Sequence, residues 1–304
     1  MLNKLNNCRQ VFTVTSADFS TLYTSLEHDT VMVNMCSLID LLFKNANKDY
    51  IHVNSKSWVN YSVQSSAATG KSFHKNEIKT LLEFIMKNTY VSFADIIFHQ
   101  VKGIPMGGNA SPLIADLLLS YLEFDYLRRH PSHASELRLT TRFIDDILSI
   151  NCNNFLDIAK DIYPQSLPLE DTTSNQQYTN YLDVTIMKGA PIHTKLYDKR
   201  EAFGFKIKQF IPSTSAISSS TKMGTFLSQL IRTAKICSKE FDFKYCMIEL
   251  AVKFKSLGYD NEFLYKGIMK FCNKYPALLL KYNVNIKQYK NQLFQKIVMC
   301  TSLP

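Results

Sequence analysis

Short apolar runs and longer stretches of helical spacing follow one another through the first part of the chain. Val11–Thr15 reads as a strand, and the strongly apolar segment Thr30–Phe43 predicts a helix. Helical spacing returns over residues 78–85, where Ile and Leu recur every three or four positions. Between these two helices, Asn45–Phe73 is polar and has little periodicity, which predicts a long loop or insertion with a small hairpin near Trp58–Val63.

The middle of the chain alternates between strand-like runs and one helix. Val91–Val101 predicts a pair of strands, and the Gly- and Pro-rich stretch Gly103–Pro112 predicts a loop that opens a helix. The apolar residues of that helix share one face: Ile114, Leu117, Leu118 and Tyr121. Leu139–Ile150 predicts a hairpin, and Tyr181–Ile186 and Ile192–Tyr197 read as two further strands.

After Phe210 the pattern becomes helical, with continuous apolar stripes of the kind that helices bury in a core. The clearest stripes are Met223, Phe226, Leu227, Leu230, Ile231 and Ala234, and Met247, Leu250, Ala251 and Phe254. A sheet-rich body followed by a helical lobe predicts an α+β protein with two subdomains and a boundary near residues 204–222. We assign residues 1–204 to the body, with its insertion at about 45–73, and residues 205–304 to the helical lobe.

Charge is distributed unevenly along the chain. The net charge is +9, but the segment from Ile186 to Pro304 has 20 Lys and Arg against 7 Asp and Glu, a net +13, and the residues before it carry −4. A basic C-terminal lobe beside a slightly acidic body indicates a polyanionic partner held by that lobe. A solvated, lysine-rich helical surface has the same composition, so charge alone leaves both interpretations open.

The composition disfavours several classes of protein. The chain has no run of eighteen uncharged apolar residues, and its first residues lack the apolar core of a signal peptide, so we expect neither a membrane partner nor secretion. The seven cysteines are scattered without a Cys-x-x-Cys pair, which favours free thiols over disulfides or a zinc site. We therefore expect an intracellular protein, in the nucleus or the cytoplasm.

The dipeptide Asp145-Asp146 interrupts two short apolar runs at the centre of the predicted hairpin. A two-residue break of this kind predicts a tight turn with both acids at its tip. Adjacent carboxylates repel each other and burying them costs still more, whereas a bound divalent cation relieves both penalties. The segment therefore predicts either a metal-binding hairpin or an ordinary polar turn, and the rest of the chain has to distinguish them.

Two other segments change the balance. Asp18 follows the first predicted strand directly, and an aromatic residue, Tyr23, lies five positions later. The glycines of Gly103–Pro112 let the backbone approach a ligand closely, and the helix that follows presents its first N–H groups. Each segment alone has a common structural explanation, a helix cap or a turn. The ordered set of strand-end acid, glycine loop and paired-acid hairpin is much rarer than its members.

In this order the chain resembles the palm of reverse transcriptases. Asp18 with Tyr23 is similar to the first catalytic motif of that family, and Gly103–Pro112 is similar to the motif that contacts template and nucleotide. Phe143–Asp146 matches the third motif, of the form aromatic-x-Asp-Asp, and Tyr181–Ile186 resembles a later palm strand that many members write with Leu-Gly. The resemblance implies a polymerase palm, an antiparallel sheet packed on helices, followed by a helical thumb.

Two further segments narrow the resemblance to the Penelope-like retroelements, relatives of telomerase: Lys195–Arg200 and Gln229–Ala234. The resemblance covers about residues 11–237, and the remainder is assigned to the thumb by its position. The resemblance implies that basic residues in and beside these two segments contact the nucleic acid, and the candidates are Lys195, Lys199, Arg232 and Lys235. One of the first two is also a candidate to neutralise the leaving phosphate.

The resemblance also implies two-metal nucleotidyl transfer onto a primer 3′-hydroxyl. The expected ligands of two Mg²⁺ ions, or of Mn²⁺ in their place, are Asp18, Asp145 and Asp146. The expected nucleotide-binding residues are Phe19, Tyr23, Gln100, Gly107 and Asn109. Within this set Tyr23 would stack beneath the sugar and exclude a 2′-hydroxyl, and Gln100 or Asn109 would reach the nascent pair or the template. The implied partners are an RNA template, a DNA primer and deoxynucleoside triphosphates.

The chain departs from the family in the region before its first acid. Seventeen residues precede Asp18, where family members normally place the fingers. We therefore expect the fingers to be largely missing, to come from another chain, or to be replaced by the insertion at 45–73. No counterpart of the C-terminal endonuclease of many Penelope-like elements is visible, so a separate fingers or endonuclease segment is a candidate partner. Three functions stay open: an RNA-directed DNA polymerase, a polymerase-derived nucleic-acid-binding protein without catalysis, and an RNA-dependent RNA polymerase, which Tyr23 disfavours.

Overall fold

The structure is a computed structural model, and it describes residues 13–54, 59–62, 70–175, 177–189, 192–205, 207 and 209–301, with the backbone alone at 59–62, 201–202 and 300–301. Spatial contacts divide the chain into two compact units, the body Ala17–Thr172 and a C-terminal unit formed by the residues on either side of it. The two units are described separately below.

The body contains three sheets among its described residues, and the first strand begins just before the body itself. The strands are β1 (Val14–Asp18), β2 (Tyr50–Val53), β3 (Val59–Ser62), β4 (Lys71–His74), β5 (Tyr90–Phe93), β6 (Ile96–His99), β7 (Thr141–Phe143), β8 (Asp146–Ile150) and β9 (Glu170–Asp171). Their orders are β7-β8-β1-β9, β3-β2-β4 and β5-β6. The four-stranded sheet is the one that carries the candidate acids.

Helices cover these sheets and supply most of the apolar core of the body. They are α1 (Leu22–Ser25), α2 (His28–Ala46), α3 (Lys75–Lys87), α4 (Ser111–Arg129) and α5 (Phe155–Ile162), with short 3₁₀ turns at Pro131–Ala134 and Glu136–Leu139. Helix α3 begins at a capping box, in which the His74 side chain and the Glu77 carboxylate each accept a backbone N–H from the first turn. Helix α2 ends at Asn47, which has a positive φ of 51°.

The core of the body explains why these helices pack where they do. Val31 of α2 and Ala115, Leu118 and Leu119 of α4 are completely buried, and they lie in one apolar cluster with Ile147 of β8. Burying such side chains is the main favourable contribution to folding, at roughly 1.5–3 kcal/mol for each large aliphatic residue. The hairpin that contains Asp145 is therefore anchored to a rigid helix at its back.

Most elements predicted for the body are confirmed. The helix predicted at Thr30–Phe43 is α2, the strand pair predicted at Val91–Val101 is β5 and β6, and β1 contains the described part of the strand predicted at Val11–Thr15. Residues 11 and 12 lie outside the described residues. The loop prediction for Asn45–Phe73 was wrong, because β2 pairs with both β3 and β4 across this segment.

That correction has a physical reason. All three strands have only four residues, and neither β2 nor β4 shows a regular alternation of apolar and polar residues, so only the region of β3 could be predicted as a strand. The hairpin predicted near Trp58–Val63 is instead a single strand, β3, which pairs with β2. Trp58 and Val63 themselves lie outside the described residues.

The C-terminal unit combines a three-stranded antiparallel sheet with four long helices among its described residues. Its strands are β10 (Tyr178–Tyr181), β11 (Val184–Met187) and β12 (His193–Leu196), in that spatial order. Its helices are α6 (Ser219–Ile236), α7 (Glu240–Lys255), α8 (Asn261–Lys274) and α9 (Ile286–Thr301), with short 3₁₀ turns at Lys199–Ala202, Pro276–Leu278 and Leu280–Tyr282. The apolar stripes predicted in this region form its core.

The predicted subdomain boundary near residues 204–222 does not coincide with the division between the units. Strand β12 belongs with the helices, because the Thr194 hydroxyl donates to the carbonyl of Ile236 at 2.6 Å and the Thr194 N–H donates to the Ser238 hydroxyl at 2.9 Å. The sheet and the helical lobe are therefore one compact unit.

The single strand predicted at Tyr181–Ile186 was also wrong, since β10 ends at Tyr181 and β11 begins at Val184.

No helix in the described part of the chain is both long enough and apolar enough to cross a bilayer.

Candidate active site

The end of β1 meets the turn between β7 and β8. Strand β1 lies beside β8 in the four-stranded sheet, and the backbone N–H of Phe19 donates to the carbonyl of Asp145 at 3.2 Å. Because Asp18 directly precedes Phe19, this hydrogen bond brings the backbones at the two acids into immediate proximity. The fold therefore brings together two of the three residues predicted as metal ligands, although they are far apart in the sequence.

The turn itself differs in one respect from the prediction. Phe143 pairs with Asp146 across the hairpin, so the two turn residues are Ile144 and Asp145. Asp145 lies at the tip, whereas Asp146 is the first residue of β8 and not a tip residue. Ile144 has a φ of 57°, a conformation that is rare and strained for a β-branched residue. The position of Asp145 thus depends on a backbone that other contacts must hold in place.

Arg142 supplies those contacts from beneath the hairpin. Its guanidinium is almost fully buried and donates to the carbonyl of Ile144 at 3.0 Å. It also forms ion pairs with Asp116 and Glu123 of α4, and donates to the Ser120 hydroxyl at 3.0 Å. Burial alone would lower the pKa of Arg142, but the hydrogen bonds and charges of the two acids outweigh it and hold the pKa above its ordinary value. Arg142 therefore fastens the strained turn to α4.

A second layer supports Glu123. The Tyr163 hydroxyl donates to the Glu123 carboxylate at 2.9 Å, and burial together with the Glu123 charge raises the pKa of Tyr163 well above its usual range. The Phe19 ring packs edge-on against Tyr163 at 4.8 Å between centroids and is itself buried. The ring of Phe19 thus lies in the core and its N–H bonds to Asp145, and its nucleotide contact stays a prediction.

The sequence interpretation missed this network, although a signal for it was present. Asp116, Ser120 and Glu123 are spaced four and three positions apart, which places them on one face of α4 and makes a polar stripe on an otherwise apolar helix. Asp116 and Ser120 are exposed and Glu123 is half-buried, so burial does not demand a partner, but two acids on one helix face attract a basic residue. Arg142 is the basic residue of the neighbouring strand, and the spacing of the acids is the signal that pointed to it.

Tyr23 is half-buried on the short helix α1, close to the acids. Its pKa is raised, first by burial and then by the negative charges of Asp145 and Asp116. The negative charge of Asp145 at the hairpin tip therefore acts on the phenol of Tyr23. Its backbone carbonyl accepts the N–H of Ile104 at 2.7 Å, which ties α1 to the glycine-rich loop.

Gly103 makes that attachment close. Its N–H donates to the carbonyl of Leu26 at 2.8 Å, its φ is 80°, and an added Cβ would lie 2.6 Å from the carbonyl oxygen of Tyr23. Only glycine fits a positive φ at so small a separation. The His28 ring contacts the carbonyl of Gly103 at 2.8 Å on the other side. The loop and the helix that bears Tyr23 are therefore one rigid piece.

The other predicted nucleotide-binding residues lie on or just before this loop. Gly107 has a φ of 97° and faces open space, and Asn109 is exposed. Gln100 is half-buried; its backbone N–H donates to Thr89, and its side-chain amide donates to the carbonyl of Lys102 at 3.0 Å. Gly107 and Asn109 are thus accessible to a ligand, whereas the Gln100 amide already has a backbone partner. Their roles stay predictions.

The acids offer the carboxylate oxygens that hard divalent cations prefer. Among the described residues, however, no three His, Cys, Asp or Glu side chains are grouped closely enough to hold a metal ion. The donor chemistry of Asp18, Asp145 and Asp146 fits Mg²⁺, and the backbone places two of them on hydrogen-bonded neighbours. Their carboxylates have to turn toward one another for all three to share cations.

The four basic residues predicted to bind nucleic acid all belong to the C-terminal unit. Lys195 of β12 and Arg232 of α6 line one cavity of about 450 Å³, and Arg232 forms an ion pair with Asp183 at 2.6 Å. Lys199 and Lys235 are exposed and are not among the residues that line this cavity. The structure thus brings two of the four together.

Comparison with known proteins places the fold. The chain matches no protein-family model, and no curated protein sequence matches it significantly. Among solved structures it is similar to telomerase from Candida albicans in complex with a TWJ fragment of telomeric RNA, with a TM-score of 0.60, 13% identity, and coverage of 94% of this chain and 46% of that one. A telomerase from Candida tropicalis in complex with a TWJ fragment matches with a TM-score of 0.46 and 12% identity, over 99% of this chain and 49% of that one.

The first of these similarities confirms the predicted fold class. The chain has a mixed α and β fold with small antiparallel sheets and helices, similar to the fold of that telomerase chain, and it spans less than half of its length. At this level of identity the similarity concerns the fold alone.

Proposed function

We propose that this chain is the palm and thumb segment of an RNA-directed DNA polymerase, and that Asp18, Asp145 and Asp146 form its catalytic centre. The observation that carries the proposal is the hydrogen bond between Phe19 and Asp145, which joins two distant acidic motifs on neighbouring strands of a reverse-transcriptase-like fold. The reaction is transfer of a nucleotidyl group from a deoxynucleoside triphosphate to a primer 3′-hydroxyl.

The three carboxylates are the proposed ligands of two Mg²⁺ ions, for which Mn²⁺ can substitute. When bound, such a pair activates the attacking hydroxyl and stabilises the oxygen of the leaving pyrophosphate. In this proposal Asp18 and Asp145 share both ions, and Asp146 contributes from the side. Arg142 holds the backbone of the hairpin through the carbonyl of Ile144, next to Asp145.

Tyr23 is the proposed selector of the sugar. Tyr23 ends its motif close to the acids: burial first, and then the charge of Asp145, raises the pKa of its phenol. We infer that a nucleotide held at the acids would bring its ribose against this ring. A ring stacked beneath the sugar excludes a 2′-hydroxyl by overlap. We expect Tyr23→Ala to raise the rate of ribonucleotide incorporation relative to deoxynucleotide incorporation; unchanged selectivity would remove this role from Tyr23.

The template and lineage are proposed on weaker resemblance. The similar telomerase structure contains telomeric RNA, which favours an RNA template for this chain. Lys195–Arg200 and Gln229–Ala234 favour a Penelope-like retroelement as the origin, with a DNA primer and with fingers or endonuclease supplied elsewhere. The basic C-terminal unit holds the nucleic acid by contacts to its phosphates, and binding therefore weakens steeply with salt.

Primer extension tests the proposal. The full chain is incubated with an RNA template, a DNA primer, deoxynucleoside triphosphates and Mg²⁺, and a DNA template serves as the comparison. We expect extension on RNA that EDTA and Asp145→Asn abolish. Asp183→Asn is the matched control, because Asp183 occupies the same position in the turn between β10 and β11 and should leave extension nearly intact.

A second function has one observation in its favour. Among the described residues, no three candidate metal ligands lie close enough together to hold an ion. A nucleic-acid-binding protein derived from a polymerase does not need such a site. That function predicts salt-sensitive binding of a template–primer duplex without extension in Mg²⁺ or Mn²⁺. Binding without extension in both metals, with and without added fingers segments, would replace the polymerase proposal.

A further inference from the structure

The cavity of the C-terminal unit has the size of a small-molecule site. It encloses about 450 Å³ between β12, the segment that follows it, and helices α6 and α7. Sites for small ligands occupy roughly 300–1,000 Å³ and combine apolar walls with a few polar groups. All of its lining residues belong to the C-terminal unit, whereas Asp18, Asp145 and Asp146 belong to the body.

The strand side of the cavity carries an excess of positive charge. Arg200 and Lys253 share a single carboxylate, Asp198, at 2.7 and 3.4 Å. Lys195 forms no ion pair with any described residue, and its side chain is exposed on β12. Arg232 is balanced by Asp183. Lys253 and Arg232 lie on α7 and α6, so the strand side itself has Lys195 and Arg200 against Asp198. It keeps one positive charge beyond its acid, at Lys195, which can accept an anionic group.

The helix side of the cavity offers aromatic rings. Phe241 and Tyr245 stand one turn apart on α7, are 77% and 59% exposed, and line the cavity. Neither ring stacks on another aromatic side chain in the described part of the chain. Exposed aromatic side chains one turn apart on the wall of a cavity provide a stacking surface for a planar ligand.

The acidic groups of the same side limit the orientation of a ligand. Asp242 is paired with His193 at 2.5 Å, whereas Glu249 is half-buried and forms no ion pair within the described residues. A carboxylate on the helix wall repels an anion, so an anionic group has to lie on the strand side. On the helix side, the same carboxylate can accept hydrogen bonds from amino groups of a planar ring.

We propose that this cavity binds one nucleoside phosphate, with its base on Phe241 and Tyr245 and its phosphate at Lys195 and Arg200. The ligand is either a free mononucleotide or a single unpaired residue of a strand, because the chemistry is the same. The inference deepens the proposed nucleic-acid role of the C-terminal unit, but it concerns a site distinct from the acids at Asp18 and Asp145. Its success does not depend on polymerase activity.

Fluorescence of 2-aminopurine, which is quenched when the base stacks, provides the test. The full chain is titrated in EDTA, so that cation-dependent binding at the acids is silent, with 2-aminopurine riboside monophosphate in one arm and a single-stranded oligonucleotide containing one central 2-aminopurine in the other. We expect saturable quenching in at least one arm. The double variant Phe241→Ala/Tyr245→Ala should weaken binding about 5- to 100-fold, the range for loss of one stacked base.

Two further variants sharpen the result. Lys195→Gln should weaken binding and flatten its salt dependence, because it removes one phosphate contact. Tyr90→Ala is the matched control, since Tyr90 lies in the body and has the same 59% exposure as Tyr245. Quenching in the first arm identifies a free nucleotide as the ligand, and quenching in the second arm alone identifies a residue of a strand.

Absence of quenching in both arms, or equal binding by the wild type and the double aromatic variant, overturns the inference. Loss of primer extension in Asp145→Asn with unchanged 2-aminopurine binding supports both proposals at once. Primer extension that fails for the wild type, with binding that still depends on Tyr245, would reject the polymerase and retain this site.

Discussion

Two hairpins of the chain have nearly the same turn and very different surroundings. Phe143–Asp146 in the body and Tyr181–Val184 in the C-terminal unit each place an aromatic residue, an aliphatic residue and an aspartate in succession. In both, the aliphatic residue has a positive φ, 57° at Ile144 and 53° at Leu182. The local backbone therefore does not distinguish the turn proposed to be catalytic from the other one.

The partner of the turn aspartate distinguishes them. Arg232 neutralises Asp183 directly at 2.6 Å. The nearest guanidinium to the other hairpin, that of Arg142, bonds to the carbonyl of Ile144 instead, and no described Lys, Arg or His forms an ion pair with Asp145. An ion pair with Arg232 thus holds the turn at Asp183. The turn at Asp145 is held by a hydrogen bond to the carbonyl of Ile144, which leaves the Asp145 carboxylate available to a cation. The four predictions below test this difference.

The largest expected effect separates activity from stability. Asp18→Asn, Asp145→Asn and the double variant should each reduce primer extension at least about 1,000-fold, roughly 4 kcal/mol, and by similar amounts, because residues that act as one unit are not additive. Asp183→Asn should leave extension within a few-fold of the wild type while lowering the free energy of unfolding by about 0.5 kcal/mol. Single-turnover extension and urea denaturation measure both quantities. Full activity in Asp145→Asn would show that the Asp145 carboxylate is not needed for extension and that the two turns do not differ in this respect.

The two guanidinium groups should also differ in what their removal costs. Arg142→Met leaves Glu123, Asp116 and the carbonyl of Ile144 without the buried guanidinium and should lower the free energy of unfolding by about 2–3 kcal/mol, since both acids stay partly solvated. Arg232→Met removes a half-exposed ion pair and should cost less than about 1 kcal/mol. Thermal and urea unfolding provide the values. Equal costs would show that the Arg142 network does not hold the hairpin as described.

The ion pair of Asp198 with Arg200 can be tested by how its contribution to stability changes with pH. The hydrogen bond and charge of Arg200, which outweigh the effect of burial, lower the pKa of Asp198 from 3.8 to about 2. Because the folded-state pKa is depressed, the stabilisation is complete above about pH 4 and is lost as the pH falls toward 2. Asp198→Asn should therefore lower the free energy of unfolding by about 1 kcal/mol at pH 7, after allowance for solvent screening, with a difference that shrinks below pH 4. A difference independent of pH would exclude this ion pair as its source.

The smallest effect concerns the strained turn residues. Leu182 is 40% exposed, so Leu182→Gly mainly removes the cost of its positive φ and should raise the free energy of unfolding by about 0.5 kcal/mol. Ile144 packs against the core of the body, so Ile144→Gly also loses buried apolar surface and should lower that free energy by about 1 kcal/mol. Opposite signs in urea denaturation are the expected result. A gain at both positions would mean that the packing of Ile144 contributes little.

Much of the fold could be predicted from periodicity. Helix α2, the β5–β6 pair and the apolar stripes of α6 and α7 each follow a pattern that one segment displays by itself. The strands β2 and β4 could not be predicted, because their stability comes from pairing between distant residues. The boundary between the units could not be predicted either, since the contacts of Thr194 with the end of α6 are tertiary.

The candidate site divides in the same way. The order of acids and glycines in the sequence predicted which motifs would meet, and the structure places Phe19 against Asp145. The sequence could not show that the Phe19 ring faces the core, because the residue follows a strand end where alternation no longer applies. The metal ligands and the role of Tyr23 stay predictions.

The tight packing of Gly103 against the carbonyl oxygen of Tyr23 restricts how such a chain can evolve. If Tyr23 selects the sugar as proposed, exchange of its ring for a smaller side chain changes which sugar is accepted. Selection cannot add even a methyl group at position 103 without displacing the segment that bears that ring. Drift at these two sites is therefore unequal, and a lineage that changed its preferred nucleotide would be expected to record the change at the tyrosine while the glycine stayed the same.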